Sequence, residues 1–408
     1  MIAPMASGGH QFLRYSMSTS SLDRSQLPLN GILVLDFSQF LAGPVSAMRL
    51  ADLGARVIKI ERPGTGDIGR TLAFAGLEKD GDTLSFHIMN RNKESFAADL
   101  KNSESLKEVW ELVKKADVII QNFRPGVIER LGLGYEDVKK VNPGIVYGSA
   151  TGYGAEGPFK DRPGQDLLAQ SISGLPWLNG RAGDPPIPVG LAVADIFTST
   201  HLASGVIALL LRRERTGVGG MVESSLLESM LDLQFELISA NLFDPSVVVN
   251  RGAGNSAHAF LPAPYGLYKT GDGYLAIAMT PIPSLGALLG VNLDEYEDPK
   301  SWWSHQEEIM KKLSAKLETN TTEHWLAILD AADIWCAPVL TLPELVAHEG
   351  FAAIDMTQKT TRTGRDGSEI SIPTTRSPVR IDGKTIKHSK GAPHVGEDTE
   401  KIRKEFGI

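Results

Sequence analysis

The residues best placed to do chemistry lie in Arg162-Pro163-Gly164-Gln165-Asp166-Leu167-Leu168-Ala169-Gln170, where a Pro-Gly turn delivers an acid to the first turn of an apolar segment. A carboxylate suits that position for a structural reason alone, because acids cap helix N-termini and complement the positive end of the helix dipole. The chemical alternative is a carboxylate held ready to react. Its neighbour Gln165 cannot take up or give back a proton near neutral pH, so Asp166 has no second base beside it. Other reactive side chains are scattered. Cys336 is the one cysteine, which excludes an internal disulfide and a cysteine zinc site, and beside Trp335 and Pro338 it reads as a small hydrophobe. His201, His305, His324 and His348 show no metal-ligand spacing, so no metal is expected. Arg62 ends a β-type run and Arg124 and Arg130 flank a Pro-Gly turn; each fits a solvated surface arginine as well as an anion contact.

These residues need a scaffold, and 408 residues suffice for two to three domains. Hydrophobic residues at 42% and charged residues at 22% place the chain among ordinary globular proteins. A net charge of -8 with no concentration of Lys and Arg argues against a nucleic-acid partner, while leaving room for a local basic pocket. The longest charge-free apolar stretch, 196–211, is too short and too rich in Ser, Thr and His to span a bilayer. Residues 1–26 lack a signal-peptide core and hydrophobic periodicity, and are expected to be a disordered leader to a cytoplasmic protein.

Gly31-Ile32-Leu33-Val34-Leu35-Asp36-Phe37 reads as a strand buried on both faces, Ala42-Gly43-Pro44 opens a helix stopped by Gly54, and Val57-Ile58-Lys59-Ile60 is a second strand. Strand, helix, strand in some 30 residues is a βαβ unit and implies a parallel sheet. A helix with Ser103 as N-cap, a strand at 117–120, short helices at 127–131 and 135–141, and a strand at 145–147 continue the pattern. This part is α/β and doubly wound. No G-x-G-x-x-G, Walker A, G-x-S-x-G or H-E-x-x-H motif accompanies it. A long helix is expected from Asp195 to about Arg215 and another over 226–240. Residues 250–266 form a Gly-, Ala-, Asn- and Pro-rich loop, followed by a strand at 274–278 and helices near 305–318 and 322–332. Past about 350 the chain turns β-like, ending in a short helix near 398–406. The expected division is a leader (1–26), a large domain (27–220), a linker and smaller α+β domain (221–345), and a return to the large domain (346–408).

The order of the motifs is more specific than any one of them. Val34-Leu35-Asp36-Phe37 with Leu41-Ala42-Gly43-Pro44 is followed by Leu53-Gly54-Ala55-Arg56-Val57-Ile58-Lys59-Ile60-Glu61-Arg62-Pro63-Gly64, then by Asn90-Arg91-Asn92-Lys93. Next come Asn122-Phe123-Arg124-Pro125-Gly126, Leu131-Gly132-Leu133-Gly134-Tyr135, Thr151-Gly152-Tyr153-Gly154, Gly164-Gln165-Asp166 and Ala263-Pro264-Tyr265-Gly266. Over about residues 27–407 the series resembles the class III coenzyme A transferases, the CaiB/BaiF family. The resemblance implies an interlocked homodimer with a Rossmann-like large domain. It implies an acyl-CoA thioester and a carboxylic acid as substrates, with no permanently bound cofactor and no membrane. It makes Asp166 the catalytic nucleophile, attacking the thioester to give an aspartyl mixed anhydride and then an aspartyl-CoA thioester. It gives CoA contacts to Ala42, Arg62, the segment from Ala98 to Lys101, Asn122, Phe123, Arg124 and Arg130, with Gly152 and Tyr153 beside them. Cations and turn N–H groups are what a 3′-phosphate and a pyrophosphate require.

Two departures from the family bear on the substrate. Where some members carry a glycine run as a lid, this chain reads Arg251-Gly252-Ala253-Gly254-Asn255-Ser256-Ala257-His258, and where some formyl-CoA transferases place a Gln before Ala-Gly-Pro it has Leu41. The second departure argues against formate or oxalate. Arg251, His258 and Tyr265 are expected to meet a second carboxylate, which favours succinate, mesaconate or itaconate. The rival within the fold is an α-methylacyl-CoA racemase, which needs two acid/base groups; Gln165 removes one, and Asp195, offered as the other, is also an ordinary N-cap for its helix. A non-catalytic CoA-binding protein, with Asp166 only a cap, is the remaining alternative.

Overall fold

The computed structural model describes residues 22–72, 74–246, 251–252 and 256–408. These divide into two compact units, one comprising the chain up to Phe40, Pro44–Ile119 and Met356–Ile408, the other Leu41–Gly43 and Ile120–Asp355. Most of the expected leader lies outside the described residues. Its last part is ordered where disorder was expected: Arg24–Gln26 form a 3-10 turn capped by Asp23.

In the first unit, β1 (Leu33–Asp36), α1 (Ala42–Asp52) and β2 (Arg56–Glu61) are the expected βαβ unit, with β1 and β2 parallel and Leu35 opposite Ile58. All four residues of β1 are buried, as its continuous apolar run requires. A further strand, β3 (Glu94–Ala97), pairs parallel with the other side of β2. It escaped the sequence reading because Glu94-Ser95-Phe96-Ala97 holds one large apolar side chain. Its outer N–H groups are satisfied by side chains near the C-terminus: Ser95 donates to Asp398 Oδ2 at 3.0 Å and Ala97 to Thr399 Oγ1 at 2.9 Å. The helix α2 (Ser103–Lys115) is capped by Asn102 rather than Ser103, the Asn carboxamide oxygen taking the N–H groups of Glu104 and Ser105. The β-like C-terminal region is the hairpin Thr357–Thr363 with Glu369–Thr375, and Thr399–Phe406 is the last helix.

β4 (Val118–Gln121) carries the chain into the second unit. There β5 (Val146–Thr151) extends well past the expected 145–147, where small residues hid its continuation. The helices α3 (Asp166–Ser173) and α4 (Val193–Thr216) follow, then β6 (Gly220–Ser225), parallel to β5. The helix expected over 226–240 is two, α5 (Leu226–Leu233) and α6 (Phe235–Phe243), broken at Gln234, whose amide reaches back to Ser173 O and Met230 O. Ala169, Ala194, Leu226 and Met230 form a small buried cluster with Ala42 and Leu175. α4 is the one helix among the described residues whose length and composition would also suit a bilayer; here it buries Thr198, Ser199, Leu202 and Val206. Later in this unit a three-stranded antiparallel sheet packs with helices Gln306–Leu317 and Thr322–Ala331 around Tyr268, Leu275, Leu313 and Trp325.

Charges inside the first unit fix the ends of its strands. Lys59, inside β2, is fully buried and bonds Asp67 at 2.9 Å and Ser38 O at 2.7 Å. Lys93 donates at 2.8 Å to each of Asp36 Oδ2, Pro44 O and Asn90 Oδ1, so it ties the end of β1 to the first turn of α1. Glu61 receives two bonds from Arg70, at 2.9 and 2.8 Å, and one from Ser95 Oγ at 2.6 Å. Burial pushes the Asp36 carboxyl up, but the charges of Lys59 and Lys93 outweigh it and hold the group at about 2. Burial lowers Lys93 to about 8 against the pull of Asp36.

Removing one partner of such a pair leaves an uncompensated buried charge. K93M is expected to lose roughly 3–5 kcal/mol of unfolding free energy, read from urea titrations at pH 7. The Asp36 carboxyl is lower in the folded than in the unfolded chain, so its stabilisation is complete above about pH 4 and lost as pH falls through about 2. Acid unfolding curves of the wild type should steepen in that interval.

Candidate functional site

Several residues singled out in the sequence stand just past the C-terminal end of a strand. Arg62 follows β2, and Ala98 follows β3. In the first unit these two are brought together, since the Ala98 N–H donates to Glu61 O at 2.8 Å. Arg62 and Lys101 are exposed and Ala98 is buried, with the Lys101 N–H bonded to Asp99 at 3.0 Å. In the second unit Asn122, Phe123 and Arg124 follow β4, and the Phe123 N–H donates to Gln121 Oε1 at 2.8 Å. Arg130 folds its guanidinium across Gly126, where a Cβ would stand 2.9 Å from a guanidinium nitrogen. Parallel sheets bind ligands at this end of their strands.

Asp166 is not a cap of its own helix. Gln165 occupies the N-cap position without a side-chain bond, and Asp166 opens α3 with its carboxylate turned to the start of α4. Oδ2 accepts the N–H of Ala194 at 2.7 Å and that of Asp195 at 3.2 Å, and Oδ1 accepts the Gln170 amide at 2.5 Å. The carboxylate is therefore fixed by three donors while the residue stays partly exposed. Gln170 is buried and is itself held by the Val189 N–H on its Oε1 at 2.9 Å. Sequence reasoning missed Gln170, although its i+4 spacing from Asp166 puts both on one helix face.

Asp195 also departs from expectation. α4 begins at Val193, with Ala192 at the cap position, so Asp195 lies inside the first turn. Its carboxyl accepts the N–H of Ala42, which brings Ala42, as foreseen, into the neighbourhood of Asp166. Burial first, and then the charge of Asp166, push Asp195 up to about 7, against the Ala42 N–H. His201 is structural: it contacts Ser229 Oγ at 3.0 Å and Asp232 at 3.1 Å. Cys336 is partly buried, and burial with the nearby Asp330 raises its thiol to about 11, which leaves it unreactive.

Gly152 and Gly164 lock the loop that delivers Asp166. A Cβ on Gly152 would stand 2.6 Å from Gly164 Cα, and one on Gly164 would stand 2.5 Å from Gly152 Cα. Only two glycines permit this approach of the β5 turn to the Pro-Gly turn. Tyr153 adds a bond from its hydroxyl to Pro163 O at 3.2 Å.

The residues expected to meet a second carboxylate are arranged differently. Arg251 donates to Asn179 O at 2.8 Å, Pro185 O at 3.0 Å and Asp184 O, and lies over the Trp177 ring. It therefore braces residues 179–185. His258 pairs with Glu236 at 3.2 Å. Both line a cavity of about 380 Å³ with Asn179, Gln234 and Phe260. Tyr265 is partly buried, and Ala253, Gly254 and Asn255 of the expected lid lie outside the described residues.

This scaffold, with acids and cations in the turns after its strands, is that of the CaiB/BaiF proteins. The crystal structure of a CaiB/BaiF family protein from Brucella suis matches it with a TM-score of 0.79 at 31% identity, covering 93% of this chain and 99% of that one. Succinyl-CoA:glutarate CoA-transferase of Mus musculus is 33% identical, over 93% of this chain and 87% of its own length. Acetyl-CoA:oxalate CoA-transferase of Acetobacter aceti is 32% identical, over 93% and 96%. The family model for CoA-transferase family III matches residues 29–399, and the chain belongs to that family.

Two substitutions test the geometry around Asp166. G164A must force the two turns apart, and with Asp166 as nucleophile a displacement of about 1 Å costs about 100-fold in rate. Its kcat for CoA transfer should fall by that order while circular dichroism shows a folded protein. Q170A should lower kcat about tenfold with little change in KM for acyl-CoA, since it frees one carboxylate oxygen without touching the turns that hold cations.

Proposed function

We propose that this protein moves coenzyme A from an acyl-CoA thioester to a carboxylic acid, with Asp166 as the nucleophile. The observation that carries the reading is the partly exposed Asp166 carboxylate, aimed by Ala194, Asp195 and Gln170. An Asp166 oxygen attacks the thioester carbonyl carbon, the carbon–sulfur bond breaks, and CoA leaves as thiolate. The thiolate then attacks the resulting mixed anhydride at the aspartyl carbonyl, freeing the donor acid and leaving an Asp166-CoA thioester. The acceptor carboxylate attacks that thioester, and returning CoA thiolate takes the new acyl group and restores Asp166. A carboxylate is a weak nucleophile in water, and holding it in one orientation is what makes it effective.

Arg62, Lys101, Arg124 and Arg130 supply charge for the CoA phosphates. The turns at Ala42, Ala98, Asn122, Phe123, Gly152 and Tyr153 line the remainder of the ligand, the N–H groups of Ala42, Ala98 and Phe123 being engaged within the protein. The acceptor we favour is a dicarboxylate. Glutarate, the acid in the name of the mouse relative, belongs to that class. The active form we propose is a homodimer: Leu191, Leu242 and Phe243 are 76%, 77% and 92% exposed, more large apolar surface than a lone chain keeps in water.

Incubation with acyl-CoA and hydroxylamine should convert Asp166 to its hydroxamate, located by mass spectrometry. D166A should lose CoA transfer by roughly a thousandfold or more. Undiminished transfer by D166A would overturn the mechanism, and solvent deuterium entering the α-carbon of acyl-CoA without an acceptor would favour the racemase. R124A should raise KM for acyl-CoA about tenfold with kcat nearly unchanged, the mark of an interaction made equally before and during reaction.

A further inference from the structure

We propose that the two oxygens of Asp166 hold fixed and different tasks: Oδ1 makes and breaks the bonds of transfer, while Oδ2 stays in an oxyanion pocket formed by the N–H groups of Ala194 and Asp195. The inference rests on Asp166 being the nucleophile. It goes beyond that reading by assigning the groups that take up charge when the aspartyl carbonyl is attacked.

The pocket comes from the way α4 begins. The first N–H groups of a helix have no acceptor within it, and a side chain at the cap position usually supplies one. Here Ala192 stands at that position, with no side-chain acceptor to offer. The Val193 N–H turns to Leu191 O at 2.8 Å and the Ile196 N–H to Ala192 O at 3.0 Å. Those of Ala194 and Asp195 converge on Asp166 Oδ2, at 2.7 and 3.2 Å. Two converging donors at the positive end of a 24-residue helix are what a growing negative charge on one oxygen requires. Being main chain, they cannot swing away.

Oδ1 is held in a different way. Its donor is the Gln170 side chain at 2.5 Å, and the same amide nitrogen lies 3.4 Å from Val189 O and 3.3 Å from Leu191 O. Gln170 therefore keeps acceptors of its own when Oδ1 enters a new bond. A new bond at Oδ2 would instead strand two first-turn N–H groups.

The assignment carries through each step. Oδ1 attacks the thioester carbonyl carbon, and the carbon–sulfur bond breaks. CoA thiolate then attacks Cγ of the anhydride, and the carbonyl electron pair moves onto Oδ2, against the two N–H groups. As the pair returns, the bond from Cγ to Oδ1 breaks and the donor acid carries that oxygen away. The acceptor carboxylate attacks Cγ of the thioester with the same shift of charge onto Oδ2. On loss of thiolate, one acceptor oxygen becomes the new Oδ1, and it remains on Asp166 when the thiolate takes the acyl group. Each turnover thus replaces Oδ1 and leaves Oδ2 in place.

The test is to run many turnovers in ordinary water with acyl-CoA and excess succinate or glutarate, whichever is turned over, labelled in its carboxylates with heavy oxygen. The peptide carrying Asp166 is then weighed by mass spectrometry. One heavy atom is expected in wild type, and one also in Q170A, which keeps both N–H donors. Two in wild type mean that the oxygens trade places, and two in Q170A alone mean that Gln170 does the holding. Either result overturns the proposal and leaves the nucleophile intact, whereas no heavy atom overturns the nucleophile and this inference with it. A194P removes the nearer donor at a helix start, where proline is tolerated. Its kcat should fall about 100-fold or more with KM for acyl-CoA unchanged. A bond that only caps α4 would lower stability and leave kcat near the wild-type value, which overturns the pocket. Should A194P fail to fold, the labels in wild type and Q170A decide.

Discussion

The Asp166 carboxylate is not free to turn, and the restraint comes from a helix other than its own. Asp166 stands at the start of α3, where a local cap would have been the ordinary outcome, but it spends its acceptor capacity on the first turn of α4 and on Gln170. The packing of α3, α4 and α5 through Ala169, Ala194 and Leu226 brings the carboxylate and its donors together. Small side chains at the contact let the helix starts approach within hydrogen-bond range. A larger residue at 169 or 194 would separate the carboxylate from its donors without touching the chemistry directly.

The first unit solves a related problem by other means. β2 places Lys59 and Glu61 among buried aliphatic neighbours, where Lys59 is matched by Asp67 and the Ser38 carbonyl and Glu61 by Arg70 and the Ser95 hydroxyl. Replacing such groups with apolar ones of similar shape is often neutral or favourable, so their value here is positional. Lys93 alone links the end of β1, the first turn of α1 and Asn90. The turns after the strands, where the candidate CoA contacts sit, are thereby set by ionic bonds beneath them.

How much of this was legible in the sequence depended on side-chain size. β1, β2 and α2 announced themselves through Val, Ile and Leu at the right period, whereas β3 has Phe96 as its one large apolar side chain and the second half of β5 is Ser, Ala and Thr, so neither left a periodic signal. The break at Gln234 was invisible because it rests on a tertiary bond to Ser173. Ordered motifs made the family readable, and Asp166 stood out through its place after a Pro-Gly turn. Its partners did not: Gln170 is an unremarked polar residue, and the donors on α4 are backbone groups that no sequence displays. Asp195 looked like a cap for the same reason, since its bond to Ala42 spans most of the interval between two distant segments. The partners of Arg251 were hidden because the carbonyls of Asn179, Asp184 and Pro185 that take up its guanidinium carry no signature of their own.

The contact of Gly152 with Gly164 bears on how such a protein can change over generations. Each glycine is held by the other's backbone, so a methyl group at either meets the same obstacle. No second substitution at the partner can relieve the first, because glycine already has nothing left to remove. Single-step variation is therefore closed at both positions, and compensation must come from moving a whole turn. Variation stays open in the walls around the 380 Å³ cavity, where side chains rather than backbones set the shape. The delivery of Asp166 stays frozen while its surroundings drift.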